Sequence, residues 1–267
     1  MIPNIENTQS SVSVSGLSAT LSGKPILKNI SFEVGQGEIF VIIGGSGTGK
    51  TTLMRALLGL IQPDSGTITI NGLPCTPKSP EILKKIRQQI GVAFQNGALL
   101  NSMTVLENVE LPLLANTFLD KKTIRIMSRL KLEMLNLLEA EDLVPSQLSG
   151  GMLKRASLAR AIATDPKILF FDEPSAGLDP PNAASLDELL LKLKDTYGMT
   201  IVAVTHSMES AKKIADTVLV LKEGEICWLG SKPELEKTDE PYVRSFLNRS
   251  PISQQRKSTE FVDRLIS

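Results

Sequence analysis

The chain lacks the features that mark a secreted or membrane-spanning protein. Its two cysteines, Cys75 and Cys227, lie far apart. They suit a reducing compartment better than a disulfide framework. No apolar run approaches the roughly 18–20 residues that cross a bilayer, and the N-terminal stretch MIPNIENTQS has neither a basic start nor an apolar segment. We therefore expect a soluble, cytosolic chain whose membrane role, if it has one, comes through a partner.

An excess of charge of either sign is also absent. Lys and Arg number 29, and so do Asp and Glu. Proteins that bind nucleic acid normally carry a basic excess, so we expect no nucleic-acid partner. At 267 residues the chain is long enough for the core of one large domain or two small ones.

The most informative stretch that is present is residues 38–58, EIFVIIGGSGTGKTTLMRALL. Its apolar start predicts a buried parallel strand, and its end has helical spacing. Between them lies the P-loop pattern G-x-x-x-x-G-K-[ST] in the strand-to-helix context that supports it. The predicted nucleotide-binding residues here are Gly44, Gly45, Ser46, Gly47, Thr48, Gly49, Lys50, Thr51 and Thr52.

The residue types of this loop suit a phosphate. Glycines let the backbone curl so that successive N–H groups point at one phosphate, and the start of the next helix adds a favourable dipole. Lys50 would reach the β- and γ-phosphates of ATP, and Thr51 would place its hydroxyl on Mg²⁺. A glycine-rich turn without a ligand is the alternative, but it needs neither the lysine nor the threonine.

Two carboxylates follow a second apolar strand in ILFFDE, residues 168–173. Ligands bind at the carboxyl ends of parallel strands. Asp172 is placed to hold Mg²⁺, and Glu173 is the candidate to accept a proton from the attacking water, a role typically worth about 10²–10⁴ in rate. Taken alone, this segment is better explained as a strand that ends in two solvated acids.

A second candidate anion site is LSGGM, residues 148–152. Ser149 would cap the helix that follows, and Gly150 and Gly151 would leave its first N–H groups open. An ordinary capped helix is the alternative. Because a P-loop domain needs only one phosphate cradle, two cradles suggest that ATP is clamped between two copies of the chain.

Two further polar residues follow predicted strands. His206, the only histidine, comes after the strand at 200–205. A lone histidine is usually a surface or core residue, but beside the acidic strand a hydrogen bond to the γ-phosphate or attacking water is favoured. Gln95 could sense Mg²⁺ and water while it tethers a helical insert.

The order of elements predicts an α/β fold. A β-rich start from residue 12 precedes the P-loop, residues 95–149 are helical, and strands alternate with helices after residue 167. In the insert, Thr104 and Glu107 form a capping box, and Pro112 should end or kink the helix. One face of the next helix is predicted to carry Ile126, Leu130, Met134 and Leu137.

Taken in order, these motifs resemble the ATP-binding cassette ATPases over residues 12–247. The resemblance implies a P-loop NTPase (RecA-like) core with an inserted helical subdomain at about 96–150, a disordered arm at 1–11 and a C-terminal extension at 248–267. It also implies a head-to-tail dimer with two ATP molecules, in which Asp179 of the SAGLD segment connects the two sites. Leu21 occupies the position where cassettes often carry an aromatic residue, so part of the roughly 1–3 kcal/mol of base stacking would be lost.

A narrower resemblance rests on FQNGALLNSMTVLENVELPL, from residue 94, and on KRASLARAIA after LSGGM. Both are similar to the MlaF-type ATPases of bacterial phospholipid transporters. This implies a permease (MlaE-like), an MCE protein (MlaD-like) and a STAS-domain protein (MlaB-like) as partners, at the cytoplasmic face of the inner membrane. The alternatives are an ATPase of another importer or exporter, a cassette protein acting on DNA or ribosomes, and a kinase-like P-loop enzyme.

Overall fold

The strands form two sheets in the computed structural model, which describes residues 10–248. The first is antiparallel, in the order β2-β1-β4-β5, and consists of β1 (Val12–Leu21), β2 (Lys24–Val34), β4 (Ser65–Ile70) and β5 (Leu73–Pro74). The second has the order β10-β9-β3-β8-β7-β6 and consists of β3 (Ile39–Gly44), β6 (Ile90–Ala93), β7 (Ile168–Asp172), β8 (Thr200–Thr205), β9 (Thr217–Lys222) and β10 (Glu225–Ser231). Its strands run parallel except for β10.

Helices cover the second sheet and form the insert between β6 and β7. They are α1 (Lys50–Leu57), α2 (Pro80–Arg87), α3 (Val105–Asn116), α4 (Lys121–Met134), α5 (Gly150–Ala161), α6 (Pro180–Tyr197), α7 (Met208–Ile214), α8 (Lys232–Lys237) and α9 (Pro241–Leu247). Two short 3₁₀ helices, Leu138–Ala140 and Pro145–Gln147, precede α5. Between residues 10 and 248, none of the helices combines the length and the apolar character needed to span a membrane.

The central strand β3 is buried on both sides, which explains its continuous apolar sequence. Successive side chains of a strand point to opposite faces. Phe40 and Ile42 pack in the core shared with α1 and the antiparallel sheet. Val41 and Ile43 pack in the core shared with the helical insert. The P-loop, which starts where β3 ends, is therefore held between two packed layers.

Helix α3 begins with the predicted capping box and has no end at Pro112. Thr104 accepts from the Glu107 N–H at 3.2 Å, and the Glu107 carboxylate accepts from the Thr104 N–H at 2.8 Å, which completes the predicted capping box. Pro112 does not end the helix, which continues to Asn116. The residues on either side of the proline, Val109 and Leu113, are fully buried, and their packing offsets the missing backbone hydrogen bond.

The predicted apolar face of α4 is wrong for two of its four residues, Ile126 and Leu130, whereas Met134 packs against the core and Leu137, just beyond the helix, is buried. Ile126 and Leu130 are 52 % and 59 % exposed, whereas Ile124 and Leu132 are buried. The helix packs against α3 and α5 through this other face. Lys131 also belongs to the buried face, because its ammonium forms an ion pair with Asp165.

Parts of the predicted domain organisation lie outside the described residues. Almost all of the N-terminal arm and of the C-terminal extension fall there. The boundaries at residues 11, 96, 150 and 247 stay predictions.

Candidate nucleotide-binding site

Glycines shape the loop between β3 and α1. Gly49 has φ +104°, a conformation that other residues rarely adopt, and a Cβ there would lie 2.8 Å from Leu27 Cδ2. A Cβ on Gly44 would lie 2.6 Å from both the Leu221 carbonyl oxygen and Thr48 Oγ1. Thr48 is nearly buried and donates to the Gly45 carbonyl at 3.0 Å. The loop thus keeps its curled path, with the start of α1 directly behind it.

Lys50 lies over its own loop. Its ammonium donates to the carbonyl oxygens of Gly44 and Gly45 at 2.8 and 2.9 Å. Burial lowers the pKa of Lys50, and the nearby charges of Glu173 and Asp172 oppose that shift. A positive charge held over a glycine-rich loop at the start of a helix suits a phosphate ligand.

The structure brings Glu173 and His206 together at the carboxyl ends of the neighbouring strands β7 and β8. The Glu173 side chain is buried, and its Oε2 lies 2.8 Å from His206 Nδ1. The His206 side chain is 64 % exposed. Glu173 also has φ +52°, which is uncommon for a residue other than glycine. A buried carboxylate with an exposed imidazole beside it can accept a proton from a water molecule at the sheet edge.

Asp172, Thr51 and Gln95 offer the oxygen ligands that a magnesium site needs. Burial and the neighbouring Glu173 raise the pKa of Asp172, and Lys154 and Lys50 oppose this. Thr51 and Gln95 are exposed, Gln95 just beyond β6. No group of three or more His, Cys, Asp or Glu side chains within residues 10–248 could hold a metal. Mg²⁺ usually takes only one or two carboxylates together with substrate phosphates and water, so this donor set fits the ion.

The start of α5 is open to other molecules. Ser149 accepts from the Met152 N–H at 3.3 Å, as predicted for a cap. Ser149 and Gly150 are exposed, and Gly151 is partly exposed. The free N–H groups of this helix start can therefore meet a ligand carried by another copy of the chain.

Asp179 and Leu21, the two remaining predicted residues, lie at element ends. Asp179 caps α6, where its carboxylate accepts from the Asn182 backbone and side-chain amides at 3.0 and 2.7 Å. These hydrogen bonds lower the pKa of Asp179. Leu21 is the last residue of β1 and is 37 % exposed.

Two residues at the site were missed in the sequence. The buried ammonium of Lys154 donates to the carbonyl oxygens of Gln95 and Glu173, each at 2.6 Å. The hydroxyl of Tyr242 in α9 accepts from the Gly45 N–H at 3.3 Å. The position of Lys154 on the buried face of α5 was a sequence signal, because a buried lysine needs polar partners. Nothing local marks Tyr242, which is 197 residues from Gly45.

Comparison with known proteins gives consistent matches. The family model described as ABC transporter matches residues 27–176. The "Probable ribonucleotide transport ATP-binding protein mkl" of Mycobacterium leprae (strain TN) is 37 % identical over 237 residues, covering 89 % of this chain and 68 % of that protein. The "Intermembrane phospholipid transport system ATP-binding protein MlaF" of Escherichia coli (strain K12) is 39 % identical over 237 residues, covering 89 % and 88 %. The dimeric post-hydrolysis structure of the ATP-binding cassette MJ0796 with ADP and Pi superposes with a TM-score of 0.76 at 30 % identity, covering 83 % of this chain and 98 % of that one.

Proposed function

Since the chain belongs to the ABC transporter family, we propose that it drives a bacterial phospholipid transporter that works with an MCE protein. Its general activity is that of the family: it binds ATP and couples hydrolysis to transport. The predicted cassette resemblance and the predicted P-loop α/β fold are confirmed by these matches.

The observation that carries the phospholipid assignment is the near end-to-end match to MlaF. The alignment covers 89 % of this chain and 88 % of MlaF. The Mkl relative has a similar identity, but this chain covers only 68 % of it. A ribonucleotide cargo, after the name of that relative, is the second candidate.

The site geometry supports a specific division of labour. Lys50 and the loop N–H groups bind the phosphates, and Thr51, Asp172 and Gln95 hold Mg²⁺, which when bound neutralises phosphate charge. Glu173 accepts the proton of the attacking water. His206, at 2.8 Å, orients that carboxylate and lies on its solvent side.

We further propose that the complete site forms between two copies arranged head to tail. The exposed α5 start (Ser149, Gly150 and Gly151) of one copy would face the γ-phosphate held by the other. Asp179, exposed at the start of α6, would connect the two sites. The MJ0796 cassette, whose solved structure is dimeric, supports this arrangement.

The permease would dock beside the loop between β6 and α3, residues 94–104, which we call the Gln95 loop. Ala98 and Leu100 are exposed there, whereas Leu99 packs against the core. Next to them, α3 and α4 border a groove of about 520 Å³ whose lining includes Met103 and Leu114. An apolar groove with a charged rim suits a short helix of an MlaE-like permease at the cytoplasmic face of the inner membrane. MlaD-like and MlaB-like proteins would complete the complex.

Affinity purification tests this proposal. The full-length chain is tagged in its native bacterium, membranes are solubilised in mild detergent, and the partners are identified by mass spectrometry. We expect a permease together with an MCE protein, and transfer of fluorescent phospholipid between vesicles that stops in Glu173→Gln. A permease for amino acids, metals or nucleotides without an MCE protein would refute the lipid assignment.

A further inference from the structure

One face of α5 holds the backbone of the Gln95 loop. Lys154 donates to the carbonyl oxygen of Gln95 at 2.6 Å, and Ser157 donates to that of Gly97 at 3.0 Å. Arg160 donates to the carbonyl oxygens of Gly97 and Ala98 at 3.0 and 2.7 Å. These three residues are spaced by three, so they lie on one side of the helix.

All the acceptors in this contact are backbone carbonyls. The helix therefore fixes the path of the loop and leaves the Gln95 side chain exposed. Gly97 and Ala98 have φ values of +75° and +50°, so the loop bends sharply where the hydrogen bonds hold it. A displacement of α5 would carry the loop with it.

Lys154 differs from Ser157 and Arg160 because it also contacts Glu173, the residue that follows β7. Its ammonium donates to the carbonyl oxygen of Glu173 at 2.6 Å. On the other side of the same residue, the Glu173 N–H donates to the Val204 carbonyl at 2.8 Å. Glu173 thus has its uncommon backbone conformation fixed by one hydrogen bond from α5 and one to β8.

The surroundings of Lys154 suit this bridging position. The residue is only 4 % exposed, and burial lowers its pKa, while the charges of Glu173 and Asp172 oppose that shift. A buried ammonium needs charged or polar partners, and here two carbonyl oxygens take two of its three protons. A methionine would leave both carbonyls without this donor.

We propose that Lys154 is a positioning residue. It fixes the positions of the Glu173 carboxylate and the Gln95 loop relative to α5. Lys154 lies about one turn beyond the helix start that carries Ser149. Contact of Ser149 with a nucleotide would therefore be transmitted through a single rigid helix to both groups. This inference rests on the proposed role of Glu173 as the base.

The test compares Lys154→Met, Lys154→Arg and Lys131→Met in the full-length chain within its transporter. Lys131 is a matched control, because it is also a buried lysine of the insert, but its ammonium pairs with Asp165 rather than with Gln95 and Glu173. A misplacement of about 1 Å can lower a rate by about 10²-fold, so we expect kcat of Lys154→Met to fall by about that factor. The KM for ATP should stay within about threefold, Lys154→Arg should regain most of the rate, and Lys131→Met should keep it.

A second measurement separates positioning from general damage to the fold. In single-turnover assays, Lys154→Met should lower the rate strongly in the parent chain but less than about threefold when Glu173 is already Gln, because residues that act as a unit are non-additive. An equal loss in both backgrounds, an unchanged kcat, or an equal loss in Lys131→Met would overturn the inference. If Lys154→Met melts below the assay temperature, Lys154→Gln takes its place with the same criteria. A normal rate in Glu173→Gln alone would instead remove the proposed base.

Discussion

Replacing Lys50 with methionine should weaken ATP binding while leaving the chain folded. Methionine keeps most of the aliphatic stem and removes the ammonium. In the structure that ammonium is bound to the carbonyl oxygens of Gly44 and Gly45. When the ammonium contacts a phosphate, it exchanges these hydrogen bonds for others. Its contribution to the binding free energy of ATP therefore comes mainly from charge attraction.

The size of the effect follows from that attraction. Opposite unit charges about 4 Å apart attract by about 4 kcal/mol at an effective dielectric constant of about 20. Each 1.4 kcal/mol is about tenfold in Kd, so the loss should lie between about tenfold and 10³-fold. It should shrink at high salt only in part, because Lys50 is half-buried.

Titration with a fluorescent ATP analogue measures this effect, in a Glu173→Gln background that prevents turnover. Lys194→Met is the control. Lys194 pairs with Asp216 at 2.6 Å, and Asp216 in turn accepts from the N–H of Ile39 at the start of β3, at the end of the strand opposite the P-loop. Equal Kd values for Lys50→Met and its parent would refute the phosphate role, whereas a loss in Lys194→Met would show that any lost lysine weakens binding.

Two further predictions concern stability and are read from urea or thermal unfolding. Asp187 is 4 % exposed with an unpartnered Oδ1, and burial raises its pKa, so Asp187→Asn should stabilise the fold by about 1–3 kcal/mol at neutral pH. The gain should fade as the pH drops below the ordinary carboxyl pKa, where Asp187 is neutral in the folded and unfolded states alike; a gain that is independent of pH would contradict this. Gly44→Ala should destabilise the chain by about 3 kcal/mol or more, the upper end of overpacking costs, because its Cβ would lie 2.6 Å from a backbone carbonyl. Gly47→Ala, where a Cβ would meet nothing within 4 Å, should cost only about 1–2 kcal/mol from its positive φ. Equal losses for the two glycines would contradict the steric argument.

Site residues in local motifs could be predicted from the sequence because their positions follow from the strand that precedes each of them. Asp172, Glu173 and His206 each follow an apolar strand, and parallel strands end at the same edge of a sheet. The same argument placed the P-loop after β3. The direct contact between Glu173 and His206 could not be predicted. The two residues are 33 apart in the sequence, and the register of β7 and β8 brings them to 2.8 Å.

The errors lie in the helical insert, where tertiary packing decides. Ile126 and Leu130 have the apolar character of core residues, but α4 turns the face with Ile124 and Leu132 inward. Of the two outcomes predicted at Pro112, an end or a kink of the helix, the end does not occur, because α3 continues to Asn116 with buried neighbours. Lys154 was overlooked because its position on the buried face of α5 shows only that it needs partners, whereas the partners themselves are backbone carbonyls, which side-chain patterns do not reveal.

We propose that the hydrolytic site is shared between two copies of the chain, and mixing two defective subunits tests this arrangement. One copy carries Ser149→Arg and the other Lys50→Met, so neither alone can form a complete site. In an equal mixture half of the dimers are mixed, each with one intact site of two, and the ATPase rate should recover to about a quarter of the parent rate. A mixture no more active than its components, or full activity of either variant alone, would contradict the shared site.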